Sequence, residues 1–548
     1  MSTEYLFGPL ERRGVFLGAR LGQIVVVLVA TGLVVGILTA SPSPLGAALA
    51  LCTLAGGGVA ILVPFAGRTI EEWTPVLAGF LFARVTAAHR WISPGNLRGH
   101  RLLPIGAWTG HEVVDPHPRT QRTPSLHVVR GSDHGRGPDE PDPARNAPAD
   151  RLVRDVRRAD GDAPAPPYLR GIRLLAVRWR DGEVGVLADA RTRTYTAVIA
   201  VGGSSPALAD GDGKERRLSQ WGAVLAGVAR DGGRAVTRVQ WIERSAPNDS
   251  EAAVHHLQQH RVLELSNPFV RSYLSLLDEQ GAQTQQHEVL VAIQVSAARA
   301  SATIRRLRAG VDVGACEVLS EELLALAQSL RQADIEVRGV LSPRMLAATL
   351  RRAADPTARD QLAHRAAADP DSAGACPRSA LPRASLTTWS TFQTEGGHHA
   401  TYWVAEWPRT AVDTDWMSPL LLGTRCRRTV AAVMEPSPPG RALRRVEAAR
   451  VDDETTASFR QRFGFRRTVR RQREAENVAR AEEELNEGHQ HIALSAYITV
   501  TATTTAELAA GCQEVEQQAG MSRLDLRREY GTQDAAFTYT LPLCRGLR

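Results

Sequence analysis

Two uncharged stretches near the N-terminus dominate the pattern of the sequence: LGQIVVVLVATGLVVGILTA at residues 21–40 and LGAALALCTLAGGGVAILVPFA at residues 45–66. Each has about the 20 residues that an α-helix needs to cross about 30 Å of hydrocarbon. Between them lies only Ser41-Pro42-Ser43-Pro44, and its two prolines cannot continue either helix, so the chain turns there. The sequence therefore predicts a tight transmembrane helical hairpin. Gly56-Gly57-Gly58 is compatible with close helix approach or with simple tolerance of glycine in membrane spans.

Arginines flank the two apolar stretches on their outer sides, and the turn between them has none. They are Arg12, Arg13 and Arg20 before the first stretch and Arg68, Arg84 and Arg90 after the second. The positive-inside rule then places both ends of the chain in the cytoplasm, which makes the protein a multi-pass protein of the inner membrane. We expect Arg12, Arg13, Arg68 and Trp73 at the membrane interface. A secretory signal peptide is the competing interpretation, but Leu38-Thr39-Ala40 is a poor cleavage sequence and a second span follows at once.

Composition and charge alone exclude few classes of function. Of the 548 residues, 43% are hydrophobic and 23% are charged, and the net charge of +7 comes almost entirely from arginine, since Lys214 is the single lysine. Such arginine usage is weak evidence for nucleic acid binding. The six cysteines form no CxxC or zinc-ligand spacing, which favours reduced, unpaired thiols.

Periodicity and composition divide the remaining chain into α+β regions separated by polar linkers. Strands and helices alternate irregularly, which is typical of an α+β fold. The predicted divisions are a hairpin with a juxtamembrane amphipathic helix at 1–93, a flexible linker at 94–168, a cytoplasmic α+β subdomain at 169–354, a linker at 355–386, and a second α+β subdomain with a long charged helix at 387–548.

Three finer predictions can be compared directly with a structure. Alternation of apolar and polar residues predicts one strand over 172–187 and a closing strand over 535–541. Helical spacing predicts a helix over 504–519 with Thr504 or Thr505 as its N-cap.

No constellation of residues predicts catalysis, a cofactor or a metal. A phosphate-binding loop needs a glycine six residues before its lysine and Ser or Thr after it, but Lys214 has Leu208 and Glu215 at those positions. This excludes a P-loop ATPase. His398 and His399 are adjacent at the start of a strand and point to opposite faces, which favours structural roles over a shared ion.

A cluster of arginines in the predicted long helix is the candidate docking site. It consists of Arg466, Arg467, Arg470 and Arg471. Glutamates alternate with arginines over the following turns, so a solvated helix face is the simplest interpretation, and an acidic partner or nucleic acid are the functional alternatives.

The N-terminal region resembles the small two-span PrgI-like subunits of type IV secretion. The resemblance lies in YLFGPLERRG at 5–14, in the hairpin, and in GRTIEEWTP at 67–75. The region from about 169 to 548 resembles the non-motor N-terminal part of the conjugative TraC-type secretion ATPases. That resemblance lies in TYTAVIAVGG at 194–203, in the segments 221–247 and 488–520, and in YGTQDAAFTYTLPLCRGLR at 530–548. In that family a strand ending in Leu-Pro-Leu precedes the ATPase core, and here the chain ends at that point.

The two resemblances together imply an actinobacterial membrane subunit without catalytic activity: an inner-membrane scaffold of a type IV secretion-like conjugation apparatus. They imply as partners the lipid bilayer, a separate P-loop secretion ATPase and other membrane subunits of the apparatus. We also expect a homo-oligomer. Three alternatives remain open: the membrane E component of type VII secretion, a membrane-anchored enzyme, and a membrane-anchored DNA-binding protein.

Overall fold

The computed structural model describes most of the chain outside two long segments. The described residues are 21–62, 68–93, 153–156, 165–179, 182–202, 211–230, 235–247, 257–258, 261–281, 285–308, 310–369, 373–408, 410–437, 444, 483 and 491–547. The long charged helix predicted in the second subdomain covers about 440–487. Almost all of that helix and of the predicted linker at 94–168 lies outside these residues.

Twelve helices occur in the described residues. They are α1 Leu21–Ala40, α2 Pro44–Leu62, α3 Ile70–Val85, α4 Gly211–Arg230, α5 Pro268–Gly281, α6 Ser301–Leu307, α7 Val311–Gln332, α8 Pro343–Ala354, α9 Ala358–Ala368, α10 Ser418–Leu422, α11 Thr505–Met521 and α12 Gln533–Phe537.

Helices α1 and α2 pack against each other, and α3 contacts both. A Cβ atom built on Gly57 would lie 3.1 Å from the Cβ of Ala30, so this glycine sits where the two helices approach closely. The neighbouring Gly56 and Gly58 face open space. Among the side chains that the structure describes, no helix combines the length and apolarity that crossing a membrane requires.

The described strands form one antiparallel sheet of 14 strands. Along the sheet the order is β1-β9-β10-β11-β13-β12-β6-β7-β5-β4-β3-β2, with β14 beside β11 and β8 beside β5. The strands are β1 Arg90–Ile92, β2 Val153–Asp155, β3 Ile172–Trp179, β4 Gly182–Asp189, β5 Thr194–Gly202, β6 Val236–Pro247, β7 Gln285–Ser296, β8 Glu336–Val340, β9 Ala384–Thr387, β10 Phe392–Thr394, β11 His398–Glu406, β12 Arg428–Pro436, β13 Ile492–Ala502 and β14 Asp525–Arg528. The mixture of helices and antiparallel sheet is the predicted α+β fold.

Helices cover both faces of the sheet and enclose its apolar cores. On one face, α4 and α7 bury side chains such as Val291 and Leu319, and α10 and α11 bury a second cluster around Ile498. On the opposite face, α8, α9, α12 and the C-terminal segment enclose a third cluster that includes Ile242 and Leu346. Both faces of the sheet therefore carry buried apolar side chains.

The sheet runs without a break across the two predicted subdomains. Strand β6 from the first pairs with β12 from the second over seven residue pairs, from Arg428↔Ser245 to Met434↔Val239. The predicted linker at 355–386 contains helix α9 and most of strand β9.

The single strand predicted over 172–187 is wrong, because the structure has a hairpin there. Strands β3 and β4 pair with each other, and Trp179 lies opposite Gly182. Both strands are apolar along their buried stretches. The sequence pattern therefore looks similar on the two sides of the turn and does not reveal it.

The closing strand predicted over 535–541 is also wrong. The chain forms α12 and then a 3-10 turn at Thr538–Thr540. Phe537 packs against Phe392 and His399 with ring centroids 5.1 and 4.6 Å apart. Thr538 Oγ1 donates to the carbonyl of Ala535, and this local hydrogen bond satisfies its hydroxyl without a neighbouring strand.

The predicted N-cap of α11 is confirmed. Thr504 Oγ1 accepts a hydrogen bond from the backbone N–H of Glu507 at 3.2 Å, and the Glu507 carboxylate accepts from the backbone N–H of Thr504. This is a complete capping box.

Candidate functional site at the helix–sheet junction

Helix α3 attaches the N-terminal hairpin to the sheet at two places, the loop between β9 and β10 and the turn after β14. The contact is made by Arg68, Trp73, Trp389, Glu529 and Tyr530, which we call the junction. Two of these residues precede the sheet in the chain, and the other three belong to its far C-terminal half.

An ion pair forms the polar part of the junction. Arg68 Nη2 donates to Glu529 Oε2 at 2.8 Å, and the two side chains are only 12% and 1% exposed. The backbone N–H of Glu529 donates to the carbonyl of Thr401 on β11, which fixes the glutamate to the sheet. A buried pair of this kind is costly to break, because both charges are shielded from water that would otherwise replace the lost attraction.

Aromatic rings form the apolar part of the junction. Trp73 stacks on Trp389 with centroids 5.6 Å apart, and Trp389 stacks on Tyr530 at 6.2 Å. Phe80, two helical turns after Trp73, meets Trp389 edge-on at 5.0 Å. The guanidinium of Arg68 lies 5.3 Å from the centroid of the Trp73 ring, so the ion pair and the aromatic rings share one packed unit.

Gly531 lets the turn after β14 come close to α3. Its backbone N–H donates to the carbonyl of Trp389 at 2.7 Å, and its φ of +75° lies in the left-handed region. A Cβ atom at this position would lie 2.7 Å from Val76 Cγ1 and 2.8 Å from the Trp389 ring. Any other residue would therefore strain the backbone and push the two sides of the junction apart.

The chain after α3 joins the edge of the sheet. Strand β1 pairs with β9 from Arg90↔Leu386 to Ile92↔Ala384. The backbone N–H of Ser93 donates to the carbonyl of Arg383 at 2.7 Å. Helix α3 is thus fixed at its first turn by the junction and after its last turn by strand pairing.

Helix α3 has two apolar faces, where the sequence indicates one apolar side. Trp73, Val76 and Phe80 face the sheet side and are partly buried. The opposite face carries Leu77, Leu81, Phe82 and Val85, which are 48%, 54%, 70% and 86% exposed. The described residues leave this second face open over the last two turns of the helix.

The predicted interface and docking residues fall partly outside the described residues. Arg12 and Arg13 lie outside them, as do all four arginines of the candidate docking cluster, Arg466, Arg467, Arg470 and Arg471. Arg68 and Trp73 lie in the junction, where both contact protein.

Sequence reasoning did not find the partners of Arg68 and Trp73. Two local features of the sequence mark these partners. Trp389 lies in a short connection between two strands, and Tyr530-Gly531 forms a turn. Neither feature indicates which distant helix the residue contacts.

The adjacent histidines have different environments, and His399 is a core residue. Its ring is fully buried, with Nε2 3.1 Å from Thr394 Oγ1 and Nδ1 3.0 Å from Thr501 Oγ1. Burial lowers the pKa of His399 to about 3, so the ring is neutral at physiological pH. His398 is partly exposed. The described residues contain no group of three or more His, Cys, Asp or Glu placed to hold a metal ion.

The single lysine lies in the first turn of α4, where its Nζ is 2.7 Å from Asp415 Oδ2. Asp415 lies in the loop before α10, so this ion pair links α4 to the loop that precedes α10.

No protein-family model matches the sequence, and no curated protein shows significant similarity to it.

Proposed function

We propose that this chain is a non-catalytic inner-membrane scaffold of a type IV secretion-like conjugation apparatus, in which it docks a separate P-loop ATPase. In this proposal α1 and α2 form a transmembrane hairpin, both termini are cytoplasmic, and the sheet carries the partner-binding surfaces. The observation that carries the proposal is the junction, which attaches an apolar helical hairpin firmly to a large folded region.

The surface of the hairpin supports a lipid environment. Leu28, Leu45 and Leu51 are 65%, 72% and 68% exposed, and most other large side chains described in α1 and α2 are exposed too. Extended apolar surface of this kind is unfavourable in water by about 25 cal/mol per Å².

Helix α3 supports an interfacial position for the junction. Its partly buried face contacts the sheet, and its exposed face carries Leu81, Phe82 and Val85. A helix that follows a membrane span and exposes apolar side chains is suited to the headgroup region, where its free face would contact lipid. The junction would then hold the sheet against the membrane surface rather than on a flexible tether.

The described region supports the proposal of a scaffold that binds partners. The described residues contain no group of three or more His, Cys, Asp or Glu placed to hold a metal ion, and helices cover both faces of the sheet. The suggestion of an ATPase as partner rests on the resemblance of residues 169–548 to the non-motor part of the TraC-type ATPases.

Membrane integration and copurification test the proposal together. We expect the tagged full-length chain to sediment with membranes, to resist extraction at alkaline pH, and to bring down a P-loop ATPase after solubilisation in mild detergent. The double variant Val29→Arg, Leu51→Arg should weaken integration, because an arginine at the centre of a span costs about 2.5–3.5 kcal/mol. Extraction of the parent protein at alkaline pH, or its recovery without an ATPase, would count against the proposal.

Two further results would favour one of the alternatives. Copurification of small WxG-type secreted proteins would favour the type VII component. Salt-dependent DNA binding that disappears on charge reversal at Arg466, Arg467, Arg470 and Arg471 would favour the DNA-binding protein.

A further inference from the structure

A second buried polar cluster lies away from the junction, where β6 and β7 meet α8. It contains Arg244 of β6, Glu288 of β7 and Arg352 from the last turn of α8. Arg244 and Glu288 are direct partners in the strand register, so they lie side by side on the face of the sheet that α8 and α9 cover.

The carboxylate of Glu288 is shared unequally between the two arginines. Arg352 Nη2 donates to Glu288 Oε1 at 2.8 Å. Arg244 Nη1 lies 3.7 Å from Glu288 Oε2, which is too far for a hydrogen bond. The nitrogens Nε, Nη1 and Nη2 of Arg244 are all shielded from solvent and have no hydrogen-bond partner among the described residues. Nε of Arg352 is in the same situation.

The charge balance of the cluster is positive. Among the described groups of the cluster, two guanidinium groups, those of Arg244 and Arg352, face the one carboxylate of Glu288. The nearby Asp355 is already engaged by Arg351 and Thr357.

Arg244 remains a cation in spite of its burial. Burial lowers the pKa of its guanidinium to about 10, which still leaves the group charged at neutral pH. A guanidinium presents five N–H donors, and a desolvated one is costly unless acceptors surround it. The described side chains supply Arg244 with an attraction to Glu288 and with no hydrogen bond.

We propose that Arg244 and Arg352 bind a small oxyanion of the phosphate class, with Glu288 as a competing acceptor. A tetrahedral oxyanion offers several oxygens to two guanidinium forks and would neutralise the excess positive charge. The side chains of Arg352 and Glu288 are 25% and 34% exposed, so the ligand would enter from their side and reach Arg244 at the inner end. The ligand is either free phosphate or the phosphate group of a lipid or nucleotide.

Competition by Glu288 gives the site a distinctive signature. A site that merely held a structural ion-pair network would be weakened by any change to its three residues. An anion site should lose affinity when Arg244 or Arg352 becomes glutamine. It should gain affinity in Glu288→Gln, because the neutral amide no longer repels the anion and accepts less strongly from Arg352.

Isothermal titration of the full-length chain in neutral detergent tests the site. Inorganic phosphate is titrated against sodium chloride of matched ionic strength, with phosphatidic acid in mixed micelles and a nucleoside monophosphate as parallel probes. We expect saturable binding of at least one phosphate probe, a loss of at least tenfold in affinity in Arg352→Gln and Arg244→Gln, and a gain of several-fold in Glu288→Gln. The control Arg154→Gln changes an exposed arginine that is paired with Glu183, and it should bind like the parent.

Binding by any one of the three probes supports the site and identifies the source of the phosphate. Absence of binding by all three, or parent-like affinity in Arg352→Gln, overturns the proposal. If Arg244→Gln fails to fold because of its buried position, the opposite effects expected of Arg352→Gln and Glu288→Gln still decide the question.

Discussion

Arg68 and Glu529 stand 461 positions apart in the sequence, and their side chains form an ion pair with 2.8 Å between Nη2 and Oε2. The arginine belongs to the segment that follows the N-terminal hairpin, and the glutamate follows the last strand of the sheet. Because the glutamate is almost fully shielded from solvent, this contact specifies how the helical hairpin and the sheet are placed relative to each other.

Replacement of Arg68 by alanine should destabilise the protein. It removes one half of a buried ion pair with Glu529, a change that costs about 3–5 kcal/mol. Denaturant unfolding of the full-length chain in detergent, followed by tryptophan fluorescence, measures the loss. The control Arg154→Ala removes a pair whose side chains are 58% and 44% exposed, and it should cost no more than about 1 kcal/mol. Equal effects of the two changes would contradict the structural role of Arg68.

Trp73→Ala should weaken the attachment of the hairpin to the sheet more than Phe82→Ala does. Trp73 stacks on Trp389, whereas Phe82 lies on the opposite face of α3 and is 70% exposed. We expect the tryptophan change to cost about 1–3 kcal/mol through lost stacking and burial, and to speed proteolysis near α3. Phe82→Ala should leave stability in detergent close to that of the parent. Similar proteolysis rates in both variants would show that the junction does not hold α3.

Gly531→Ala should destabilise the turn after β14, since the φ of +75° and the contact with Val76 both oppose a side chain. We expect a loss of about 1–3 kcal/mol in the free energy of unfolding. Gly227 lies inside α4 with open space around it, so Gly227→Ala should be neutral or stabilise the helix by up to about 1 kcal/mol. Unfolding midpoints of the two variants provide the comparison, and an unchanged midpoint in Gly531→Ala would rule out the close approach.

His399 should make stability fall as the pH is lowered. Its folded pKa of about 3 lies below the ordinary value of 6.5, so between these values the unfolded chain binds more protons than the folded one. The group's contribution to stability should therefore decrease by up to about 1.4 kcal/mol per pH unit from pH 6 to pH 4. Burial raises the pKa of Glu395 and of Asp534, and these groups act in the opposite direction.

The variant His399→Gln isolates this effect from the carboxylates. Whatever its absolute stability, its unfolding free energy should depend less steeply on pH than that of the parent over this range. Parallel pH profiles for the two proteins would show that His399 does not titrate on unfolding.

Local patterns predicted the elements whose causes are local. The capping box at the start of α11 joins Thr504 and Glu507, which are three positions apart in the sequence. The predicted strand over 172–187 failed because two paired strands, β3 and β4, are both apolar and a short turn leaves the alternation intact. The predicted strand over 535–541 failed because buried threonines there bond to nearby carbonyls, which the alternating pattern does not distinguish from strand residues.

The sequence indicated one side of the candidate site, Arg68 and Trp73, but not the residues that they contact. The residues Arg68 and Trp73 were identified as interface residues because they follow an apolar stretch, but their contacts come from residues more than 300 positions later. Long-range pairing of this kind leaves no periodic signal in one sequence. The contact of these residues with lipid stays a prediction.

The continuity of the sheet across residues 355–386 limits how the protein can be dissected. Expression of 169–354 and 387–548 as separate fragments would remove β12 from β6 and leave two long strands with unpaired backbone groups. The C-terminal segment would also leave the first fragment, where the Gln240 side chain bonds the backbone of Tyr539 and Cys544. Each fragment would then expose a strand edge with unpaired backbone groups. The two fragments would therefore aggregate or associate with each other, and neither would fold as an independent domain.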